Sequence, residues 1–211
     1  MICVSVSNLA GLAEAIESGV GLIELRLDLI KESPSKLFLL VPKSIETIVT
    51  CRAGVKSDNE RLELLKAGMK LGATYVDIEI ETSADEMEVL NSAAAEVGCS
   101  LIVSYHNFKR TPDREELESV MISCYEKGGK IAKIATQVNG PEDIRNLLSI
   151  YELPGRKVIL GMGPQGRITR LMGPYLGAEF TFASTGKGEE TAPGQLTVKQ
   201  LNDIFKVIDE S

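Results

Sequence analysis

Two side chains in this sequence stand where they can do covalent and proton-transfer chemistry. Lys133 lies inside the apolar run KIAKIATQV (130–138), between Ile131-Ala132 and Ile134-Ala135, whereas Lys130 follows Gly128-Gly129 at the run's entrance, where a solvated lysine belongs. Desolvation and nearby arginines both disfavour a charged amine, so the expectation is a Lys133 that loses its proton readily and attacks a carbonyl carbon to give a Schiff base. His106, the only histidine, comes late in SLIVSYHNF (100–108). Its unperturbed pKa suits a general acid and base near neutrality.

Further charges recur with the two-residue period that puts side chains on one face of a strand. Glu24, Arg26 and Asp28 share a face, with Leu25, Leu27 and Leu29 on the other; Ser5, Thr50 with Arg52, Asp77 with Glu79, and Ser104 repeat the pattern in other runs. A buried unpaired charge costs several kcal/mol, so such rows are mutually paired, engaged with a ligand, or both. A purely structural ion-pair network of Glu24, Arg26, Arg52 and Glu79 is one reading. A polar site in which Glu79 orients His106 is the other.

The elements that must carry these residues are short β-branched runs alternating with amphipathic stretches, the pattern of parallel strands joined by helical crossovers. Eight runs recur, at 2–7, 22–29, 45–52, 74–80, 100–108, 130–138, 157–163 and 178–184, the second unit being the least distinct. Ser83 and Thr111 read as helix N-caps, and Gly72, Gly98, Gly128, Gly155 and Gly177 as helix ends. Eight units without a linker predict a closed (β/α)₈ barrel, one catalytic domain over residues 1–211, with the polar rows at the carboxyl ends of the strands. A net charge of −7 argues against a nucleic-acid surface, so an anionic ligand requires local arginines. With no basic leader and no long apolar run, no membrane segment is expected and the location is read as cytoplasmic. The four scattered cysteines read as reduced, buried thiols, and no His/Cys cluster suits a metal.

Two glycine-rich segments remain. Gly161-Met-Gly163-Pro-Gln-Gly166 matches the GxGxxG pattern of dinucleotide sites, but too little chain follows to complete such a half. A phosphate site formed by the backbone N–H groups of these glycines, strengthened by Arg167 and Arg170, is the alternative. The stretch 185–195 is long for a loop in a short barrel and reads as a lid, a plain surface loop being the other option.

Taken together, Glu24-Leu-Arg26-Leu-Asp28, Thr50-Cys-Arg52, Asp77-Ile-Glu79, Ser104-Tyr-His106-Asn-Phe108, Lys133-Ile-Ala135, Met162 with Gly166-Arg-Ile-Thr-Arg170, Thr181-Phe-Ala183 and Ala192-Pro-Gly-Gln195 resemble the type I 3-dehydroquinate dehydratases. The resemblance runs through nearly the whole chain. It implies a Schiff base of Lys133 with the C3 ketone of 3-dehydroquinate, and His106 moving protons between C2 and the departing C1 hydroxyl. Arg170 would bind the substrate carboxylate, with Ser5, Glu24, Arg26, Arg52, Met162, Thr191 and Gln195 completing the pocket. It implies no metal and no organic cofactor, and relatives are often homodimers. Three departures stand out: the sequence after Arg52 lacks the family's Glu-Gly-Gly, leaving Glu79 as the substitute carboxylate; Thr191 replaces a common serine; and the chain starts in its first strand without an N-terminal hairpin. Another lysine Schiff-base barrel, such as a small sugar-phosphate aldolase, and a non-catalytic binding barrel are the rival readings.

Overall fold

The computed structural model describes residues 1–186 and 188–210. In chain order the elements are β1 (Ile2–Val6), α1 (Leu9–Glu17), β2 (Leu22–Arg26), α2 (Pro34–Leu40), β3 (Glu46–Thr50), α3 (Asp58–Lys70), β4 (Tyr75–Glu79), α4 (Ala84–Val97), β5 (Ser100–Asn107), α5 (Arg114–Glu126), β6 (Ile131–Gln137), α6 (Pro141–Ser149), β7 (Lys157–Met162), α7 (Arg167–Tyr175), β8 (Thr181–Ser184), β9 (Leu196–Thr197) and α8 (Val198–Asp209). All strand pairs are parallel, in the order β7-β6-β5-β4-β3-β2-β1-β8-β9. This is the predicted (β/α)₈ barrel with one addition, the two-residue β9 beside β8.

Strand register sorts the barrel interior into layers. At the amino ends Cys3, Leu22, Ile48, Ile102, Ile131, Val158 and Phe180, with Tyr75, form one apolar cluster. Each fully buried aliphatic side chain there contributes about 1.5–3 kcal/mol. The layer above is polar: Ser5 lies opposite Glu24, Thr50 opposite Asp77, and Ser104 opposite Lys133. Higher still, Arg26 is opposite Thr50, Glu79 opposite Ser104, and His106 opposite Ala135. The interior is thus dry at the bottom and charged at the top, because the inward positions of each strand change from aliphatic to polar along its length. The outward positions, among them Val4, Ile23, Val49, Val76, Val103 and Ile134, pack under the helices.

Among the described residues no ladder joins β7 to β8. The seam holds one main-chain hydrogen bond, from the Glu179 N–H to the Lys157 carbonyl at 3.1 Å. Farther up, side chains replace the missing strand: the Ile159 N–H donates to the Tyr151 hydroxyl at 3.3 Å, and the Gly161 N–H to the Thr169 hydroxyl at 2.7 Å. An unpaired edge inside a protein needs such partners, since an orphaned buried N–H costs as much as a lost hydrogen bond.

Local signals account for most element ends. Ser33, Ser57, Ser83 and Thr197 accept from the N3 amides of their helices. Gly98 adopts the left-handed conformation (φ 71°) that ends α4. The expectation of Thr111 as a cap is corrected: Pro112 holds that stretch extended, Asp113 caps α5 through the Glu116 N–H, and the Thr111 hydroxyl instead meets Thr136 Oγ1 at 2.7 Å. Strand two ends at Arg26, so Asp28 lies in the following turn, with its carboxylate folded back on Arg26. All four cysteines are free and buried. Burial raises the thiols of Cys51 to about 11 and of Cys99 and Cys124 to about 12, which makes them poor nucleophiles.

Candidate active site

A cavity of about 380 Å³ opens at the carboxyl ends of the strands, and Lys133, His106, Glu79, Glu24, Arg26, Arg52, Met162, Arg170, Thr191 and Gln195 all line it. Ser5 does not. It sits on β1 in the same layer as Glu24, and its hydroxyl donates to the Glu24 carboxylate, which it orients from the side.

The charged rows are mutually compensated to a large degree. Glu24 accepts from Ser5 and, at 2.8 Å, from Thr50. Arg26 pairs with Asp28 through two nitrogens, at 3.0 and 2.6 Å. Arg52 forms a two-pronged pair with Asp77 at 2.8 and 2.9 Å. Glu79 accepts from the Ala53 N–H at 3.1 Å and from Arg61 at 2.7 Å. A structural network therefore exists, as one reading of the sequence held. Glu79, however, makes no hydrogen bond to His106 among the described residues, because Arg61 and the Ala53 amide hold its two oxygens.

Lys133 is buried, and its Nζ lies 2.7 Å from Asp77 Oδ2, 3.8 Å from Glu24 Oε1 and 4.3 Å from the Phe182 ring centroid. The expected surroundings of the amine are corrected here. Its nearest charged neighbours are two carboxylates, the arginines having been drawn to acids of their own. His106 stands one layer above, stacked on Phe108 with ring centroids 6.1 Å apart. Burial, then Arg52 and Lys133, push the imidazole well below its ordinary pKa, against the opposite pull of Asp77. Burial alone would raise the Asp77 carboxyl, yet Arg52 and Lys133 hold it well below the usual carboxylate range.

Arg170 is the exception to compensation. Carried inward by α7, it is 1% exposed, and among the described residues its one hydrogen bond is a long one of 3.5 Å from Nη1 to the Phe182 carbonyl. Its Nε is buried without a partner. Burial, with a smaller push from Arg167, brings the guanidinium down to about 10, so it remains a cation near neutrality. Around the cavity Arg26, Arg52, Arg61 and Lys133 are each ion-paired with Asp28, Asp77 or Glu79, whereas among the described residues Arg170 has no such carboxylate partner. A small anion seated against Arg170 would satisfy the orphaned donor and pair the buried guanidinium.

The glycine segment does not form a phosphate cradle. The Gly161 N–H donates to Thr169, the Gly163 N–H to the Pro193 carbonyl at 3.2 Å, and the Gly166 N–H to the Gly163 carbonyl at 3.1 Å. Sterics explain these glycines instead: a Cβ on Gly166 would lie 2.4 Å from the Gly161 carbonyl carbon, and one on Gly194 2.4 Å from the Gly163 oxygen. Of the expected lid, Thr191, Ala192 and Gln195 line the cavity, and Pro193 and Gly194 lie against Gly163. The Glu189 carboxylate accepts from Asn8 at 3.0 Å, and Gln195 Oε1 accepts from the Thr191 N–H at 2.8 Å. Lys187 falls outside the described residues.

Sequence reasoning missed three contributors. Arg61 is buried in α3 and reaches Glu79, Thr82 and the Cys51 carbonyl; the signal was its helical spacing with Leu65, Gly68 and Met69 on the buried face. Glu81 lies at the cavity rim. Phe182 lies against Lys133, a contact that no local pattern announces.

Comparison with known proteins agrees with this geometry. The family model "Type I 3-dehydroquinase" matches residues 2–211. The 3-dehydroquinate dehydratase of Methanococcus maripaludis (strain C7) is 36% identical over 99% of this chain and 100% of its own length, and that of Methanocaldococcus jannaschii is 33% identical over 99% of each. The crystal structure of the 3-dehydroquinate dehydratase from Aquifex aeolicus VF5 superposes with a TM-score of 0.86 at 31% identity, covering 98% of both chains. The chain therefore belongs to the type I 3-dehydroquinase family and is an enzyme of the hydro-lyase class.

Proposed function

We propose that this chain dehydrates 3-dehydroquinate to 3-dehydroshikimate through a Schiff base on Lys133, with His106 as general base and then general acid, in the shikimate route to aromatic amino acids. The observation that carries the reading is the meeting, in one cavity, of a buried lysine, a neutral imidazole and a buried guanidinium without a counter-ion. They match a ketone, a proton to be moved and a carboxylate.

The Lys133 amine adds to the C3 carbonyl, and loss of water leaves an iminium. His106 takes the C2 proton, the C–H electron pair becomes a C2=C3 double bond, and the C=N π pair moves onto nitrogen to give an enamine. Its return expels the C1 hydroxyl, which leaves as water with the proton that His106 gives back. Hydrolysis of the conjugated imine restores the lysine and frees the product. Arg170 holds the carboxylate, while Glu24, Arg26 and Arg52 offer acceptors and donors to the ring hydroxyls. Met162, Thr191 and Gln195 close the pocket, and Ser5 acts through Glu24. Glu79 serves as a fixed carboxylate between Arg61 and the Ala53 amide. The sugar-phosphate alternative is weakened because the N–H groups of Gly161, Gly163 and Gly166 are already engaged.

We assign one catalytic domain over 1–211, a cytoplasmic location supported by the four free thiols, and no role for nucleic acid or membrane. No helix of the described residues is long and apolar enough to cross a membrane. The direct test is turnover of 3-dehydroquinate to the conjugated enone, set against sugar phosphates. Dehydration of the former with no cleavage of the latter is the expected result, and the reverse would sink the assignment.

Two further outcomes follow from the electrostatics. Arg170→Met should raise KM about 10- to 100-fold, the worth of a charged hydrogen bond. It should also raise the thermal midpoint by roughly 2–4 °C, because it removes a buried uncompensated charge. A midpoint below that of the parent enzyme would mean that Arg170 is structurally paired after all. Because the chain has a single histidine, one imidazole signal reports its titration by NMR. A lowered pKa means protonation is delayed as pH falls, so the signal should keep its neutral shift down past about pH 6.5. A midpoint at or above that value contradicts a base that rests unprotonated.

A further inference from the structure

Asp77 is 0% exposed and accepts four hydrogen bonds. Oδ1 takes Arg52 Nη1 at 2.8 Å and Ser104 Oγ at 2.6 Å; Oδ2 takes Arg52 Nη2 at 2.9 Å and Lys133 Nζ at 2.7 Å. The two-pronged arginine and the serine lock the plane of this carboxylate, so Oδ2 is a fixed point between β3, β5 and β6. An ammonium has three N–H bonds and can meet such a point in several rotations. An iminium is planar and keeps one.

We propose that Asp77 is the positioning residue that sets the plane of the Schiff base, by holding its single N–H on Oδ2 so that the C2–H bond stands out of that plane toward His106. This rests on the Schiff-base reading above. The placement supports it. Lys133 lies opposite Ser104 in the ladder, and His106 is two residues farther along the same inward face, so the imidazole overlooks the layer in which the N–H bond lies. Glu24, the other carboxylate near the amine, holds its Oε1 3.8 Å from Nζ, beyond hydrogen-bond reach, and the Phe182 ring packs against the nitrogen. Deprotonation next to an iminium needs the breaking C–H bond aligned with the π system; a twist about the lysine chain would destroy that alignment and would also forfeit the buried bond to Asp77. Asp77 itself gains no proton and forms no bond: the C2 proton goes to His106, the C–H pair becomes the C2=C3 bond, the C=N π pair moves onto nitrogen, and the N–H is unchanged.

The test separates imine formation from proton removal in single turnovers with C2-deuterated 3-dehydroquinate. Borohydride quenching at successive times measures imine, and release of deuterium measures abstraction. In Asp77→Asn imine formation should stay close to the parent rate while deuterium release falls about 10²-fold, the size of effect that small misplacements produce. Ser104→Ala, which keeps the carboxylate and Arg52 and only loosens the lock, should show a smaller loss confined to the same step; it stands in should Asp77→Asn fail to fold. Both steps slowed alike, or neither slowed, would overturn the proposal. Absence of any adduct in the parent enzyme would instead remove the Schiff base itself.

Discussion

Lys133→Ala is expected to abolish turnover and adduct formation together, lowering kcat by about 10⁴- to 10⁶-fold, as removal of a covalent nucleophile does. The fold should survive, because Asp77 keeps its Arg52 pair and Ser104 hydrogen bond when the amine is gone. Glu24 likewise retains Ser5 and Thr50. Intact-mass spectrometry after borohydride treatment with 3-dehydroquinate should show the reduced adduct on the parent enzyme and none on the variant. An adduct that persists in the variant would locate the reactive amine elsewhere. Turnover within tenfold of the parent would end the covalent mechanism.

His106→Ala separates bond formation from proton transfer. The variant should still be trapped by borohydride, since Lys133 and its partners are untouched, yet kcat should fall about 10²- to 10⁴-fold, the range for a positioned general acid–base. The imine is therefore expected to accumulate, and hydrogen exchange at C2 of bound substrate should be lost. Little structural penalty is expected, because the imidazole accepts and donates no hydrogen bond among the described residues and is in ring contact with the exposed Phe108. Unchanged turnover would remove His106 from the mechanism, and Glu81 at the rim would become the next base to examine.

The fold was legible because the sequence states its two periods plainly. In strand two, Leu25 against Glu24 and Arg26 declares an inward and an outward face, and the two-residue alternation holds wherever the strand does. Lys133 and His106 could be singled out for the same reason: each sits at an inward position among residues that leave no other explanation for a polar group. What could not be read was pairing. Whether Arg26 prefers Asp28 or a ligand, whether Glu79 turns to His106 or to Arg61, and whether Arg170 has any partner at all depend on side chains that meet only when distant strands and helices are brought together. Glycines misled for a related reason. Gly161, Gly163 and Gly166 have the spacing of an anion loop, but Gly161 and Gly166 are needed where backbone meets backbone and Gly163 where φ is +80°, with Gly194 arriving from the far end of the chain.

The interrupted sheet has a mechanical corollary. Separating any other neighbouring strands of the barrel would tear a continuous ladder, whereas β7 and β8 part at the expense of a single main-chain bond between Glu179 and Lys157. Main-chain bonding thus binds the wall around most of its circumference and is sparse along one line, and that line runs beside Arg170, the group proposed to take the substrate carboxylate. Opening along that line would leave whole the ladders from β4 through β6, the arc that carries Glu79, His106 and Lys133.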